Sequence, residues 1–196
     1  MHGLINRSIQ CFLRDSYGPA VWSAVLRQAE IGFDSFEPMM DYPPEQTDLV
    51  LHAACAILAR PRDGLLEDLG TFLVSNPELE ALRRLLRFGG VGFVDFLHTL
   101  EDLPDRARLA LCDLDLPELI LNDQGQGHYR LYCSPMVEGT GHVIMGLLRT
   151  MADDYGALVL LEHLGRDGAY EVISVHLLDQ SYTEGRKFDL ALPVGA

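Results

Sequence analysis

Apolar residues in the first half of the chain recur three and four positions apart, with polar residues between them, which is the spacing of amphipathic helices. Pro19, Pro44 and Pro77 stand where the first turn of a helix accepts proline. The pattern predicts helices over residues 4–15, 19–28, 44–59, 65–75, 77–88 and 92–103.

The second half of the chain changes to the two-residue alternation of strands. It predicts strands over 116–121, 128–134, 155–164 and 170–178, with a helix over 139–152 inserted between the two strand pairs. The turn residues 122–127 predict a hairpin whose loop exceeds two residues. We therefore expect an α+β fold, with an N-terminal helical half followed by a four-stranded antiparallel sheet. Residues 1–180 form one predicted domain, and residues 181–196 are ambiguous.

His98 is the first candidate functional residue. It follows Phe96 and Leu97 in the predicted helix 92–103, so we expect its imidazole to border the apolar face of that helix. A neutral imidazole on a rigid helix can ligate a metal ion or a haem iron. A histidine in this position is more often a structural residue, and other evidence is needed to choose.

A second candidate lies in the predicted strand 128–134. Strand alternation places Tyr132 and Ser134 on one face in line with Arg130, and Leu131 and Cys133 on the other face. The two hydroxyl-bearing residues stand about 7 Å apart along the strand, at ~3.3 Å per residue. Both hydroxyls can therefore donate to one anionic group.

Taken in order, these pieces resemble the H-NOX (haem nitric oxide/oxygen binding) family. The resemblance rests on His98 within Phe-Leu-His-Thr-Leu, on Tyr132-Cys-Ser-Pro-Met136 where the family has Tyr-x-Ser-x-Arg, and on a glycine-containing apolar helix that follows. The start Met1-His-Gly-Leu-Ile-Asn and the segment Tyr17-Gly-Pro-Ala-Val-Trp22 are similar to the family's first two helices. The resemblance extends from Met1 to about Val175.

The resemblance implies a haem b held between the two halves of the fold. His98 takes the place of the iron ligand, and Tyr132 and Ser134 take the places of the residues that hold the propionates. Met136 stands where the family has arginine, and losing that charged hydrogen bond should cost on the order of 1.5–3 kcal/mol of haem affinity. Arg130 is a candidate substitute cation.

The resemblance also implies the remaining haem contacts. Pro117 takes the place of the proline that presses on the haem, although the run from His98 to Pro117 is about six residues longer than the family's usual run. The implied distal wall consists of Ile5, Phe72 or Leu73, Val143 and Leu147. Val143 stands where oxygen-binding members have tyrosine, so the implied pocket favours nitric oxide over oxygen.

Charge and composition exclude several classes of function. The net charge of -14 argues against a nucleic-acid surface, which needs a basic patch. The start of the chain has no signal region, and no apolar run reaches ~18 residues, so we expect a cytoplasmic protein without membrane contact. The four cysteines, Cys11, Cys55, Cys112 and Cys133, are scattered and indicate reduced thiols. Zinc bound by Cys133 with His128 is a weaker alternative.

Enzymatic signals are weak. The acidic pairs Glu101–Asp102 and Asp153–Asp154 are sequence neighbours, which do not face each other on a helix or strand. Residues 139–142 (Gly-Thr-Gly-His) form a candidate anion nest before a helix.

We therefore expect a protein that is not an enzyme. The resemblance implies a gas sensor that binds nitric oxide, and also carbon monoxide, at ferrous haem. It would signal to a separate histidine kinase or cyclic-di-GMP enzyme. The alternative is a haem-free ligand-binding or protein-interaction module on the same fold.

Overall fold

The computed structural model describes residues 1–88, 90–110 and 114–185, without the side chains of residues 80, 81 and 110. Its first half is helical, as predicted. The helices are α1 (Gly3–Tyr17), α2 (Pro19–Ala29), α3 (Pro44–Leu58), α4 (Arg62–Ser75), α5 (Glu80–Arg87), α6 (Phe93–His98) and α7 (Leu103–Ala110), with one 3-10 turn (Pro77–Leu79) before α5.

The single helix predicted over 92–103 is wrong, because two helices occupy this region. Helix α6 ends at His98, where the Thr99 hydroxyl donates to the Phe96 carbonyl (2.8 Å) and the Thr99 amide is shared between the carbonyls of Asp95 and Phe96. Helix α7 then begins at Leu103, and Pro104 lies in its first turn, where proline needs no amide hydrogen. The extra length between His98 and Pro117 therefore contains a helix that the apolar spacing did not predict.

The four-stranded antiparallel sheet is confirmed. It contains β1 (Leu119–Gly125), β2 (His128–Cys133), β3 (Leu158–Asp167) and β4 (Tyr170–Asp179) in the order β1-β2-β4-β3, with helix α8 (Thr140–Tyr155) inserted between β2 and β3. The β1–β2 loop is shorter than predicted. Gln126 and Gly127 alone connect the strands, with φ of 56° and 78°, the left-handed pair that a two-residue hairpin requires.

Two apolar clusters form the interior. One lies among α1 to α4 and includes Phe12, Leu13 and Leu51, and the other lies between the sheet, α6 and α8 and includes Phe96, Leu131 and Leu148. Helices α4 and α8 pack against each other between the two clusters. In the described ranges, no helix is long and apolar enough to cross a membrane.

The segment after β4 returns toward α8. The amide of Thr183 donates to the carbonyl of Gly156 at the end of α8 (3.1 Å). Residues 186–196, which make up most of the ambiguous segment 181–196, lie outside the described residues, as does Cys112.

Candidate functional site

His98 is the last residue of α6 and is exposed to solvent. The imidazole was expected to border the apolar face of its helix and to be kept from water, and its exposure contradicts this, because α6 ends before another turn can cover it. Phe93, Phe96 and Leu97 form the buried face of the helix. Its ring lies edge-on to the ring of Tyr129, with 6.2 Å between the centroids. In the part of the chain that the structure describes, no side chain or backbone group hydrogen-bonds to the imidazole.

The segment around His98 is fixed by two polar side chains. The Arg106 guanidinium of α7 donates to the carbonyls of Thr99 (2.7 Å) and Leu85 (3.3 Å). The Glu101 carboxylate accepts from the amide of Leu121 in the edge strand β1 (2.7 Å). These contacts hold the end of α6 against α7 and the sheet, so the position of His98 beside Tyr129 is determined by the fold.

Strand β2 has one buried and one open face. Tyr129, Leu131 and Cys133 are buried against the helices, whereas Arg130 is exposed and Tyr132 is half-buried. The predicted division of faces, with Arg130 and Tyr132 opposite Leu131 and Cys133, is confirmed. Because His98 contacts Tyr129 from the buried face, His98 and Tyr132 lie on opposite faces of the sheet.

The surroundings of Tyr132 and Ser134 are acidic. The Tyr132 ring packs edge-on against Tyr170, whose hydroxyl donates to the Glu118 carboxylate (2.9 Å). That hydrogen bond and the charge of Glu118 raise the pKa of Tyr170. The Ser134 hydroxyl accepts from the amide of Glu118 (2.8 Å). A propionate bound by this pair would therefore lie near a carboxylate of the chain itself.

Met136 supplies no charge to this region. It is half-buried, and its backbone amide donates to the Thr140 hydroxyl (3.0 Å). Its thioether is only a weak acceptor. Arg130 is the cation on the same strand face as Tyr132, two residues along the strand.

Pro117 is half-buried just before β1. The spacing that the resemblance implies is about six residues shorter than the run from His98 to Pro117. Counted back from Pro117, it leads to Pro104 in α7. Proline has no side-chain donor atom. Residues 99–110 contain no histidine, cysteine, methionine or tyrosine, the usual axial ligands of haem iron.

Four of the five predicted distal residues pack against one apolar cluster. Ile5, Phe72, Leu73 and Val143 are partly buried and pack against the cluster of α1 to α4. Leu147 is buried in the sheet-side cluster, one turn of α8 beyond Val143. The helical half therefore presents an apolar wall of the kind that the resemblance implies.

The candidate anion nest at residues 139–142 contains an anion of the chain itself. The Glu171 carboxylate of β4, which is 2% exposed, accepts from the amides of Gly139 (2.9 Å) and Gly141 (2.6 Å). Sequence reasoning identified the two glycines but missed Glu171. The sequence signal that could have revealed Glu171 is the occurrence of an acidic residue in an otherwise apolar strand.

Two histidines lie next to the Glu171 carboxylate and form a polar cluster with it. His163 of β3 brings its Nε2 to 3.5 Å from the Glu171 carboxylate, and its ring stacks on that of His142 at 4.4 Å between centroids. His142 in turn lies 3.4 Å from the Glu67 carboxylate. Burial alone would raise the pKa of Glu67, but the hydrogen bonds with Arg149 and His142 lower it overall. The cluster connects α4, α8 and the sheet.

The zinc alternative is not supported by the geometry. Cys133 points into the core, whereas His128 lies on the open face of the same strand. Burial and the nearby Glu171 carboxylate raise the pKa of Cys133 to about 12, which disfavours the thiolate that binds zinc. No group of three or more metal-binding side chains occurs within residues 1–88, 90–110 and 114–185.

Comparison with known proteins identifies the family. The model of the family described as Haem-NO-binding matches residues 2–163. The chain belongs to this family. H-NOX domains, as its members are called, are sensor domains of haem-based gas sensing and are not themselves catalytic.

A curated relative is the soluble guanylate cyclase gcy-31 of Caenorhabditis elegans, which is 22% identical over 154 residues. That match covers 79% of this chain and 22% of the relative, so the chain spans about a fifth of the cyclase's length. The cyclase activity is a property of that longer protein.

Solved H-NOX structures share the fold. An Fe(II) unliganded H-NOX protein from K. algicida has a TM-score of 0.76 at 16% identity, covering 94% of this chain and 100% of its own. An H-NOX protein from S. oneidensis in the Fe(II)NO ligation state has a TM-score of 0.75 at 15% identity, covering 91% of this chain and 100% of its own. The predicted α+β architecture is thereby confirmed.

The predicted haem contacts do not fit one haem. A haem is a single flat ring, so its axial ligand and its propionate donors must line one cavity. Here His98 lies on the side of the buried sheet face, and Tyr132 lies on the open face. Only the distal wall has the arrangement that the resemblance implies.

Proposed function

We propose that this chain is a regulatory module of the H-NOX fold that acts by binding a partner protein, without a haem iron ligated by His98. The observation that carries the proposal is the separation of His98 from Tyr132 and Ser134 by the sheet. Residues 99–110, where the resemblance's usual spacing would place the ligand, contain no ligand-type side chain, which is consistent with the proposal. This function corresponds to the haem-free alternative.

Catalysis is not part of the proposal. In the two acidic pairs, Glu101 binds the amide of Leu121, and Asp154 is buried in an ion pair with Arg83 (2.6 Å). Asp153 is exposed. Asp153 and Asp154 are therefore in different surroundings, and the Glu101 carboxylate is occupied by a backbone amide. Neither is the arrangement of two carboxylates that act on one substrate.

A regulatory module must have a partner that distinguishes two of its states. For this chain we propose a cytoplasmic signalling enzyme, either a histidine kinase or a cyclic-di-GMP enzyme. The cluster of His142, His163 and Glu171 connects the helices to the sheet, and we propose it as the link through which a change in one half reaches the other.

The second candidate is a haem b-based nitric oxide sensor that also binds carbon monoxide. The apolar wall of Ile5, Phe72, Leu73 and Val143 favours it, since this wall offers no hydroxyl or amide side chain to bound oxygen. In this candidate His98 would hold the iron, Tyr132, Ser134 and Arg130 would hold the propionates, and Met136 and Pro117 would take the places that the resemblance implies.

A haemin titration of His98→Ala distinguishes the two candidates. We expect the variant to bind haemin within about twofold of the unmodified protein, since His98 does not face a haem cavity. His52→Ala, which removes another exposed histidine from α3, is the matched control. A loss of at least about tenfold in His98→Ala alone, reversed by added imidazole, would instead establish the haem-based sensor.

A further inference from the structure

The open face of the sheet carries aliphatic side chains. Leu160 and Leu164 of β3 are 60% and 46% exposed, and Ile120 of β1 is 39% exposed. We call the open side of β2, β4 and β3 the outer sheet face. On its two outer strands lie His128, Arg130 and Tyr132 of β2 and Leu160, Glu162 and Leu164 of β3.

At its centre this face carries one cation and one anion, in contrast to the chain as a whole, whose net charge is -14. Arg130 on β2 and Glu162 on β3 are both exposed, and both are in register with Ser174 on the strand between them. Neither makes an ion pair with another described residue. The centre of the outer sheet face is therefore neutral and partly apolar, and the Glu118 carboxylate lies at its edge beside Tyr170.

The two outer strips of this face are complementary. Strand β2 presents the cation Arg130 between the rings of His128 and Tyr132, and strand β3 presents the anion Glu162 between Leu160 and Leu164. The central strand β4 contributes Ser174 and His176, which are half-buried, and the His176 ring stacks on His128 at 3.8 Å. Val172 on the same side is buried.

We propose that the outer sheet face binds a second copy of this chain in a two-fold symmetric dimer. A two-fold axis along β4 places β2 of one copy over β3 of the other, so each Arg130 meets Glu162 of the partner copy. The same rotation places aromatic side chains over leucines. A self-complementary patch of this kind is what a two-fold interface requires.

The patch is small, so the dimer is weak. Three strands ~4.8 Å apart and about five residues along each strand give a footprint of roughly 15 Å in each direction. Stable complexes bury about 800 Å² per partner. We expect a dissociation constant on the order of 100 µM, at ~0.15 M salt, where repulsion between the two acidic copies is screened beyond about 8 Å.

Charge reversal tests the dimer by sedimentation equilibrium at protein concentrations around the expected dissociation constant. Arg130→Glu and Glu162→Arg should each weaken association by at least about tenfold, and the double variant should restore it to within about threefold. Arg130→Gln removes the charge without reversing it, so its association should be weaker than that of the unmodified protein and stronger than that of Arg130→Glu. Arg27→Glu, which makes the same charge change on the exposed side of α2, is the control and should leave association unchanged.

Circular dichroism of each variant verifies that the fold is retained. A monomer at every concentration would overturn the proposal and would mean that any partner of this face is a different protein. Failure of the double variant to recover association would also overturn it. Haemin binding is measured separately from self-association. A failure of the dimer proposal can therefore be distinguished from a failure of the proposed function.

Discussion

A Gly70→Ala variant is expected to unfold with a free energy lower by about 2–3 kcal/mol. Gly70 of α4 lies directly against the backbone of α8, and an added Cβ would overlap the carbonyl of Val143. Gly146 of α8 is in equally close contact with the carbonyl of Glu67. A backbone carbonyl cannot relieve the overlap by changing rotamer as a side chain can, so the two helices would have to separate.

Gly64→Ala, in the same helix α4, is the matched control. An added Cβ there meets only the Pro61 side chain at 3.8 Å, an ordinary contact. Alanine is the better helix former, so this variant should gain about 0.5–1 kcal/mol. Urea denaturation measures both. Equal stability of the two variants would show that α4 and α8 are not packed backbone to backbone.

Glu171→Gln is expected to lower the unfolding free energy by about 2–4 kcal/mol. The carboxylate accepts amide hydrogens on both oxygens, from Gly139 and Gly141, in a site closed to solvent. A glutamine amide keeps one acceptor but turns a donor toward the other amide. The start of α8 and its link to β4 would both weaken.

Glu138→Gln makes the same change at an exposed residue in the loop before α8. It should alter stability by less than about 0.5 kcal/mol. Thermal and urea unfolding of the two variants, at equal pH and salt, give the comparison. A Glu171→Gln protein as stable as the Glu138→Gln protein would mean that the carboxylate does not occupy the nest.

The sheet and its faces could be predicted because strand alternation is a local property. The division of β2 into Tyr132 on one face and Leu131 on the other follows from a two-residue period alone. The distal group of Ile5, Phe72 and Val143 came from resemblance, and the structure brings these residues together because their helices share one apolar cluster.

Other features depend on contacts between residues far apart in sequence. The apolar spacing of Phe96 and Leu100 runs on past His98, so it predicted one helix where the Thr99 cap and Pro104 produce two. The pairing of Glu171 with Gly139 and Gly141 joins residues about thirty positions apart. No local sequence pattern predicts such a pairing.

The position of His98 illustrates the same limit. Its neighbours Phe96 and Leu97 are buried as predicted, yet the imidazole is exposed because α6 ends at that residue. The resemblance to the H-NOX family alone assigned it as the ligand of a haem iron. The side of the sheet on which Tyr132 lies could be seen only once the strands and helices were packed together.

The absorption spectrum of the purified protein tests the central claim most directly. The protein would be produced in cells supplied with a haem precursor, desalted, reduced and exposed to nitric oxide. We expect no Soret band beyond the trace left by loosely bound haem, and no spectral change with nitric oxide. A stoichiometric Soret band that survives desalting, shifts with nitric oxide and disappears in His98→Ala would contradict it.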